Sequence, residues 1–509
     1  MTLLIYPPIA KPCEPPAGLA RLAGALRHHT AACQIWDANV EAVHWLVDLP
    51  LPQKDRWSLQ AWQRRGADRA WLQSPQGYAS TAAYASAVRN LNRLLGVQGL
   101  RFQERISLAD YQHEKRTPLC SDNLLEAAAM PERTVFYPFY ASQLRARFDR
   151  STPQRIGISI NYLSQALPAF ALIGLLRRDY PGIPIIAGGG LITSWMRRRE
   201  WCNPFAGLVD ELVDGPGEVP LLRAAGHDAA EGGPYTPDYG EMPWGAYLSP
   251  GAILPYNASR GCYWNRCAFC PEASEGHLYK PVPAVQVLSE LRYLSDQYHP
   301  ALIHFTDNAM SPALLRALIA HPPGVPWYGF VRITEQLTDP DFCRALRQAG
   351  CRMLKIGLES GDDAVLAGME KGINADLSGR ALQSMARAGL ATYVYLLFGT
   401  PWEDEAAAGR TLEFTLNHAK AITFINPAIF NLPADAAAES GLVTHEFYRA
   451  DLKLYHGFEH PLGWSRARVR HFLDRTFKRE PGIAAILRRT PPAFTSNHAA
   501  FFAPLYQQE

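Results

Sequence analysis

Cysteine is scarce. There are nine in 509 residues, an odd number at scattered spacings, which argues against a disulfide framework. That usage suits a reducing compartment, and the cytoplasm is the expected location. No charge of one sign dominates: 50 Lys and Arg against 48 Asp and Glu leave +2, so no general attraction to nucleic acid or acidic lipid follows. No apolar run approaches the length of a bilayer-spanning helix. The opening MTLLIYPPIAKP has no basic segment before its short apolar run, and prolines interrupt it, so no signal peptide is expected.

What remains is the composition of a soluble globular chain, 48% hydrophobic and 19% charged. Its length calls for two or three domains. The first stretch reads strand, helix, strand: LLIYPPI, GLARLAGALRHH and CQIWDANV. Residues 41–150 then mix tryptophan, arginine and helical patches without strand alternation, and read as a helical insertion. Alternation resumes with RIGISINYL, ALPAFALIGLLRRDYPG, IPIIAGGGLI, LVDELVDG and GEVPLLRAAG. Strands alternating with long helices predict a parallel sheet covered on both faces. HDAAEGGPYTPDYGEMPWG reads as a linker closing a first domain at about 1–235.

A second βα series runs over about 250–432. Its six strands are LPYNASRG, ALIHFTDN, PWYGFVRI, RMLKIGLES, ATYVYLLFG and AITFINPAIFN. Six units with no return strand predict a partial βα barrel whose reactive face lies at the carboxyl ends of its strands. Residues 433–509 read as a small mixed, mainly helical region that could cover that face.

Three of the nine cysteines crowd the loop after the first of these strands: GCYWNRCAFC holds Cys262, Cys267 and Cys270. The others (Cys13, Cys33, Cys120, Cys202, Cys343, Cys351) form no second pair at ligand spacing. A structural zinc site takes four ligands, and His277 could complete a Cys3His set. An iron–sulfur cubane is normally held by four cysteines, so three would leave one iron open to an outside ligand. Both readings stand on the cysteines alone.

The loop on the first strand of a partial βα barrel resembles the radical S-adenosylmethionine (SAM) superfamily. The resemblance implies a 4Fe–4S cluster on the three cysteines. Its open iron would bind the amino and carboxylate groups of SAM, and electron transfer would release a 5′-deoxyadenosyl radical. An electron donor such as flavodoxin or ferredoxin is implied as partner. The first gap here is four residues rather than the commoner three. Phe269, just before the third cysteine, matches the aromatic that lies beside adenine. GLESGDD after the fourth strand is similar to the Elongator and methylthiotransferase subgroup and puts Glu359 and Ser360 near SAM. LLFGTPWEDE puts Gly399 and Pro401 near adenine, and Arg332 in FVRI falls where a polar SAM contact often stands. Bland roles compete: a cap for Glu359, a tight turn for Gly399, an ion pair for Arg332.

The order of features in the first domain resembles the cobalamin-binding domain that precedes many radical SAM barrels. In that resemblance Ser159, Gly188, Gly189 and Gly190 line the cobalamin tail, and Glu218 lies in the GPGE turn. The loop is not a GxGxxG fingerprint. The DxHxxG motif that gives a lower axial histidine is absent; DANVEA, with Asp37, stands nearest by position. The two resemblances together imply cobalamin-dependent methylation of an unactivated carbon in a small molecule or peptide. The alternatives are a radical SAM oxidoreductase or cyclase with a domain that binds no cobalamin, and a zinc-stabilised scaffold. Arg466 to Arg489 is a basic run that reads as solvated helix faces or as a grip on an acidic ligand. Phe501 and Phe502 read as substrate-facing or packed residues.

Overall fold

The structure is a computed structural model and describes residues 1–52, 55–228, 235–492 and 498–502. Parts of the expected linker (229–234) and of the TSNHAAFFAPL stretch lie outside the described residues. The chain divides into two compact units. Among the described residues, one comprises Met1–Ala252 with Arg449–Leu454 and Pro492; the other comprises Ile253–Tyr448 with Tyr455–Pro491 and His498–Phe502. The fold is α/β, built on two parallel sheets.

In the first unit the run TLLI is buried along its whole length, as an interior strand of a parallel sheet must be. Thr2–Ile5 pairs in parallel with Cys33–Trp36 on one side and with Arg155–Ser159 on the other. Ile185–Gly188 and Glu211–Leu212 follow outward, so the five strands stand in the order second, first, third, fourth, fifth. The chain therefore winds one way from the first strand and the other way from the third, which creates a crevice at their carboxyl ends. The last strand is only two residues long, far shorter than LVDELVDG suggested, as edge strands tend to be. Leu163–Asp179 is buried along nearly its whole length from Gln165 to Leu176.

Between the second and third strands lie five helices: Ala38–Asp48, Arg56–Leu72, Thr81–Gly99, Ser121–Ala129 and Tyr137–Phe148. A small hairpin also stands there, Glu104–Ile106 against Tyr111–His113. Its three-residue strands are too short to show alternation in sequence.

The second unit is a sheet of six parallel strands in sequence order: Ile253–Tyr256, Leu302–Phe305, Trp327–Val331, Cys351–Glu359, Ala391–Phe398 and Phe424–Ile429. The first and sixth strands are its edges, so the barrel is partial. Helices between strands start on side-chain caps: Ser311, Asp339, Asn374 and Asp404 each accept a backbone N–H of the first helical turn. The C-terminal part is mixed and mainly helical, as expected, with short strands ahead of its longer helices. Leu432–Pro433, Tyr455–Phe458 and Thr444–His445 form a small antiparallel sheet ahead of helices Arg466–Arg475 and Pro481–Arg489. Among the described residues no helix is long and apolar enough to cross a membrane.

Candidate metal and cofactor site

The cysteine loop is closed at its base by a two-residue antiparallel ladder, Ser259–Arg260 against Lys280–Pro281. Gly261 is required there: its φ is 68°, and a Cβ would stand 2.7 Å from the Leu278 carbonyl oxygen. Buried Asp307, at the end of the second barrel strand, pins the same base. Its carboxylate accepts the Ser259 hydroxyl at 2.5 Å and the Ala258 N–H at 3.0 Å.

Cys262, Cys267 and Cys270 are free and half-buried. Among the described residues no three His, Cys, Asp or Glu side chains stand close enough together to hold a metal ion. What the loop supplies is a donor set: three soft thiols on one short segment, the chemistry iron–sulfur clusters and zinc require. Burial holds the Cys267 thiol above its ordinary value against the pull of Lys371 and Arg332, and burial pushes the Cys270 thiol up to about 11. Metal binding must therefore displace protons from these sulfurs. His277, the candidate fourth zinc ligand, bonds to Glu275 at 2.9 Å.

Cationic groups stand near the Cys267 thiol. Arg332, just past the third strand and 8% exposed, directs one guanidinium nitrogen at the Cys267 sulfur, 3.8 Å away, and donates another to the Lys371 carbonyl at 2.5 Å. Its guanidinium also lies 4.1 Å from the Trp264 ring centroid. Trp264 donates its indole N–H to the Glu370 carbonyl at 3.0 Å, and its ring fills the space above Gly372. The Ala268 N–H bonds to the Met369 carbonyl at 3.0 Å. The loop is thus tied to the segment that follows the fourth strand.

That segment carries an ion pair. Lys371 donates to Glu359 at 2.8 Å, both side chains largely buried. Glu359 ends its strand at a register shift with φ of 68°, a left-handed backbone uncommon for a non-glycine residue. Gly357 leaves room for the pair, since a Cβ there would stand 2.5 Å from the Glu359 oxygen. Lys371 also lies 5.4 Å from the Phe269 ring. Phe269 and Trp402 pack on Val365, Met369 and Ala407, which places an apolar surface beside the third cysteine.

Gly399 turns with φ of 77°, and its N–H donates to Glu403 at 2.5 Å. Glu403 is fully buried and also accepts the Trp464 indole N–H at 3.0 Å; burial pushes its carboxyl up to about 7. Pro401 lies half-buried in the same turn. Ser360 differs from the expected ligand contact. It is fully buried, its hydroxyl bonds to Thr411 at 2.9 Å, and it accepts the Asp362 N–H at 3.1 Å. The side chain faces the core.

In the first unit Ser159 and Gly188 are paired neighbours in the sheet, next to the crevice. Gly189 has φ of 107°, and a Cβ would stand 2.5 Å from the Ile160 carbonyl oxygen. A Cβ on Gly190 would meet nothing nearer than Asn161 at 3.9 Å. Asn161 bridges the two loops, accepting the Gly190 N–H at 3.0 Å and donating to the Ser159 hydroxyl at 3.1 Å. Asp37, the nearest counterpart of the missing motif, caps a helix through the Val40 N–H and accepts the Tyr247 hydroxyl at 2.7 Å. Burial pushes its carboxyl up to about 6. Glu218 begins the helix Glu218–Ala224 and stands 3.4 Å from Arg21.

Lys371, Trp264, Trp402, Glu403 and Asp307 were not foreseen. Trp264 and Asp307 act through partners far away in sequence, as does Glu403 through Trp464, and Lys371 reaches Glu359 only across the turn after the fourth strand.

The barrel unit thus presents a parallel six-stranded sheet with a thiol-bearing loop after its first strand and Arg332 and Lys371 beside that loop. The comparisons give the family. Residues 256–415 match the model of the Radical SAM superfamily, and the barrel unit belongs to it. The structure of the radical S-adenosylmethionine methyltransferase TsrM from Kitasatospora setae, with cobalamin and a 4Fe–4S cluster bound, aligns with a TM-score of 0.51 at 17% identity. That alignment covers 85% of this chain and 75% of that one. The cobalamin-dependent S-adenosylmethionine radical enzyme OxsB, with aqua-cobalamin bound, also aligns with a TM-score of 0.51, at 15% identity, over 84% of this chain and 53% of that one. An uncharacterized methyltransferase of Pyrococcus horikoshii is 26% identical over 188 residues, 35% of this chain and 40% of that protein. The chain thus matches well under half of its curated relative's length.

Proposed function

We propose that this chain is a cobalamin-dependent radical SAM methyltransferase acting on an unactivated carbon. The observation that carries the proposal is the juxtaposition, on a barrel of the Radical SAM superfamily, of three thiols with the Lys371–Glu359 pair and Arg332. Cys262, Cys267 and Cys270 would hold the cluster, whose donor chemistry they fit. When bound, the cluster and SAM together supply a carbon radical able to remove hydrogen from a position no side-chain base could deprotonate.

The chain's own task is placement. A free amino acid end carries one carboxylate and one ammonium. Lys371 and Glu359 offer the complementary ammonium and carboxylate within one hydrogen bond of each other. Arg332 adds positive charge on the cluster side. Phe269 and Trp402 offer a flat apolar surface for the adenine, and the Gly399–Pro401 turn limits its reach. Burial of these groups strengthens each contact relative to water. Ser159, Gly188, Gly189 and Gly190 would border the cobalamin at the crevice of the first sheet, where open α/β sheets bind their ligands. The likeness to TsrM and OxsB, whose structures carry cobalamin, supports that half of the reading.

The test is protein made with a cobalamin supply and reconstituted with iron and sulfide without oxygen. The proposal expects about four irons per chain, cobalamin absorbance that survives desalting, and both 5′-deoxyadenosine and S-adenosylhomocysteine after reduction with SAM present. Deoxyadenosine without retained cobalamin would replace methylation with an oxidoreductase or cyclase reaction. Zinc without sulfide would overturn the radical reading.

A further inference from the structure

The insertion in the first unit holds a groove that the barrel chemistry does not use. On helix Arg56–Leu72 the residues Trp57, Gln60 and Arg64 are three and four apart; on Thr81–Gly99 the same holds for Ser86, Arg89 and Arg93. Each set forms one stripe of its helix, and the two stripes line an open cleft of about 450 Å³. No carboxylate lines it.

The carboxylates nearby hold guanidinium groups instead. Arg93 donates to Asp55 at 2.8 Å and to the Ser58 hydroxyl at 3.1 Å. Arg64 donates to Asp68 at 3.3 Å, and buried Asp68 also accepts from Asn90 at 2.7 Å. Arg89 is exposed and makes no ion pair among the described residues. Trp57 is 64% exposed, an unusual exposure for so large an aromatic. Arg93 also lines a second cleft of about 470 Å³, which runs on to Val97 and to Leu100 just past the helix end and is bordered on its other side by Glu104, Arg105, Ile106 and Asp110. Leu100 is 53% exposed. From Ser86 to Leu100 the helix rise gives a groove of roughly 20 Å, the span of about six extended residues.

We propose that this groove docks an extended acidic peptide segment. Its carboxylates would lie among Arg64, Arg89 and Arg93, and an apolar side chain at one end would cover Val97 and Leu100. Guanidinium forks held by acids behind them are preorganised for carboxylates, and Arg89, with no ion pair among the described residues, adds positive charge to the first cleft. A nucleoside phosphate would occupy the Trp57 end and leave Leu100 bare, so the two-part groove favours the peptide.

The test uses the full chain and a fluorescein-labelled peptide, Glu-Asp-Glu-Gly-Leu-Phe, followed by fluorescence anisotropy. The expected result is saturable binding that weakens as ionic strength rises. Arg89→Glu should weaken it at least about fivefold, since it reverses an unpaired charge in the cleft. Leu100→Asp should weaken it about threefold, with circular dichroism unchanged for both. Equal binding of the peptide with lysine at each acidic position would overturn the proposal. So would binding unaffected by both substitutions, the absence of binding to the wild-type chain, or displacement by adenosine monophosphate at its own binding concentration.

Discussion

The two parallel sheets offer carboxyl edges that look alike in outline and differ in what they do with polar groups. At the barrel edge, long charged side chains (Arg332, Glu359, Lys371) converge on the thiol loop, and a non-glycine residue sits in left-handed backbone to achieve it. At the edge of the first sheet the polar groups tie loops to one another: Asn161 joins Gly190 to Ser159, and Asp37 caps its own helix. The first edge is an electrostatic surface built from side chains. The second is a shape built from backbone and glycine. Substitutions should therefore act on ligand chemistry at the barrel and on fold and room at the first sheet.

The largest contrast comes from one substitution at each edge. Cys267→Ala should abolish iron loading and SAM cleavage while the melting midpoint of the metal-free chain stays within about 2 °C, because a half-buried thiol contributes little packing. Gly189→Val should do the reverse. Its Cβ collides with the Ile160 backbone at a positive φ, so loss of about 3 kcal/mol or more is expected, read by thermal unfolding of the first unit.

Next is the ion pair. Lys371→Met leaves Glu359 buried with no ammonium partner and removes the group proposed to meet a SAM carboxylate. SAM affinity, measured by calorimetry on reconstituted protein, should fall roughly tenfold to a hundredfold. Glu359→Gln should fall less. If both variants bind SAM as the wild type does, the barrel edge is not the electrostatic surface described.

The barrel edge also carries a pH-dependent group. Glu403 is held neutral by burial, with its carboxyl raised from 4.5 to about 7. Between those values the folded chain binds more protons than the unfolded chain, so stability falls as pH rises through that window. The total is about 3 kcal/mol. Glu403→Gln keeps an acceptor for the Gly399 and Trp464 N–H groups and removes the proton linkage. Denaturation midpoints followed from pH 4.5 to 8 should drop for the wild type and stay flatter for the variant.

The smallest structural effect is expected at Gly190. A Cβ there meets nothing within 3.9 Å, so Gly190→Ala should alter stability by under about 0.5 kcal/mol yet reduce hydroxocobalamin uptake. Unchanged uptake would separate the glycine loop from the proposed cobalamin contact.

Much of this organisation was legible in the chain itself. The alternation of strands and helices placed both sheets, and the crowding of Cys262, Cys267 and Cys270 on one loop marked the edge that matters. Gly399 sits in a tight turn after its strand, as the turn reading expects. What could not be read depends on contacts between distant residues. Lys371 stands in GMEKG with nothing local to set it apart; only the course of the chain after the fourth strand brings it to Glu359. Ser360, next to Glu359 in sequence, turns inward because Thr411 on a later helix takes its hydroxyl. The four-residue gap before Cys267 gains an account from the same cause. It accommodates Trp264, whose indole is held by Glu370, Gly372 and Arg332, and Asn265 at φ of 46°.

The most direct measurement is release of 5′-deoxyadenosine from SAM by the reduced, reconstituted chain, compared with Cys262→Ala, Cys267→Ala and Cys270→Ala. The account predicts release by the wild type and none above background by each variant. A wild-type chain with its full complement of iron and sulfide that binds SAM and releases no deoxyadenosine would contradict it.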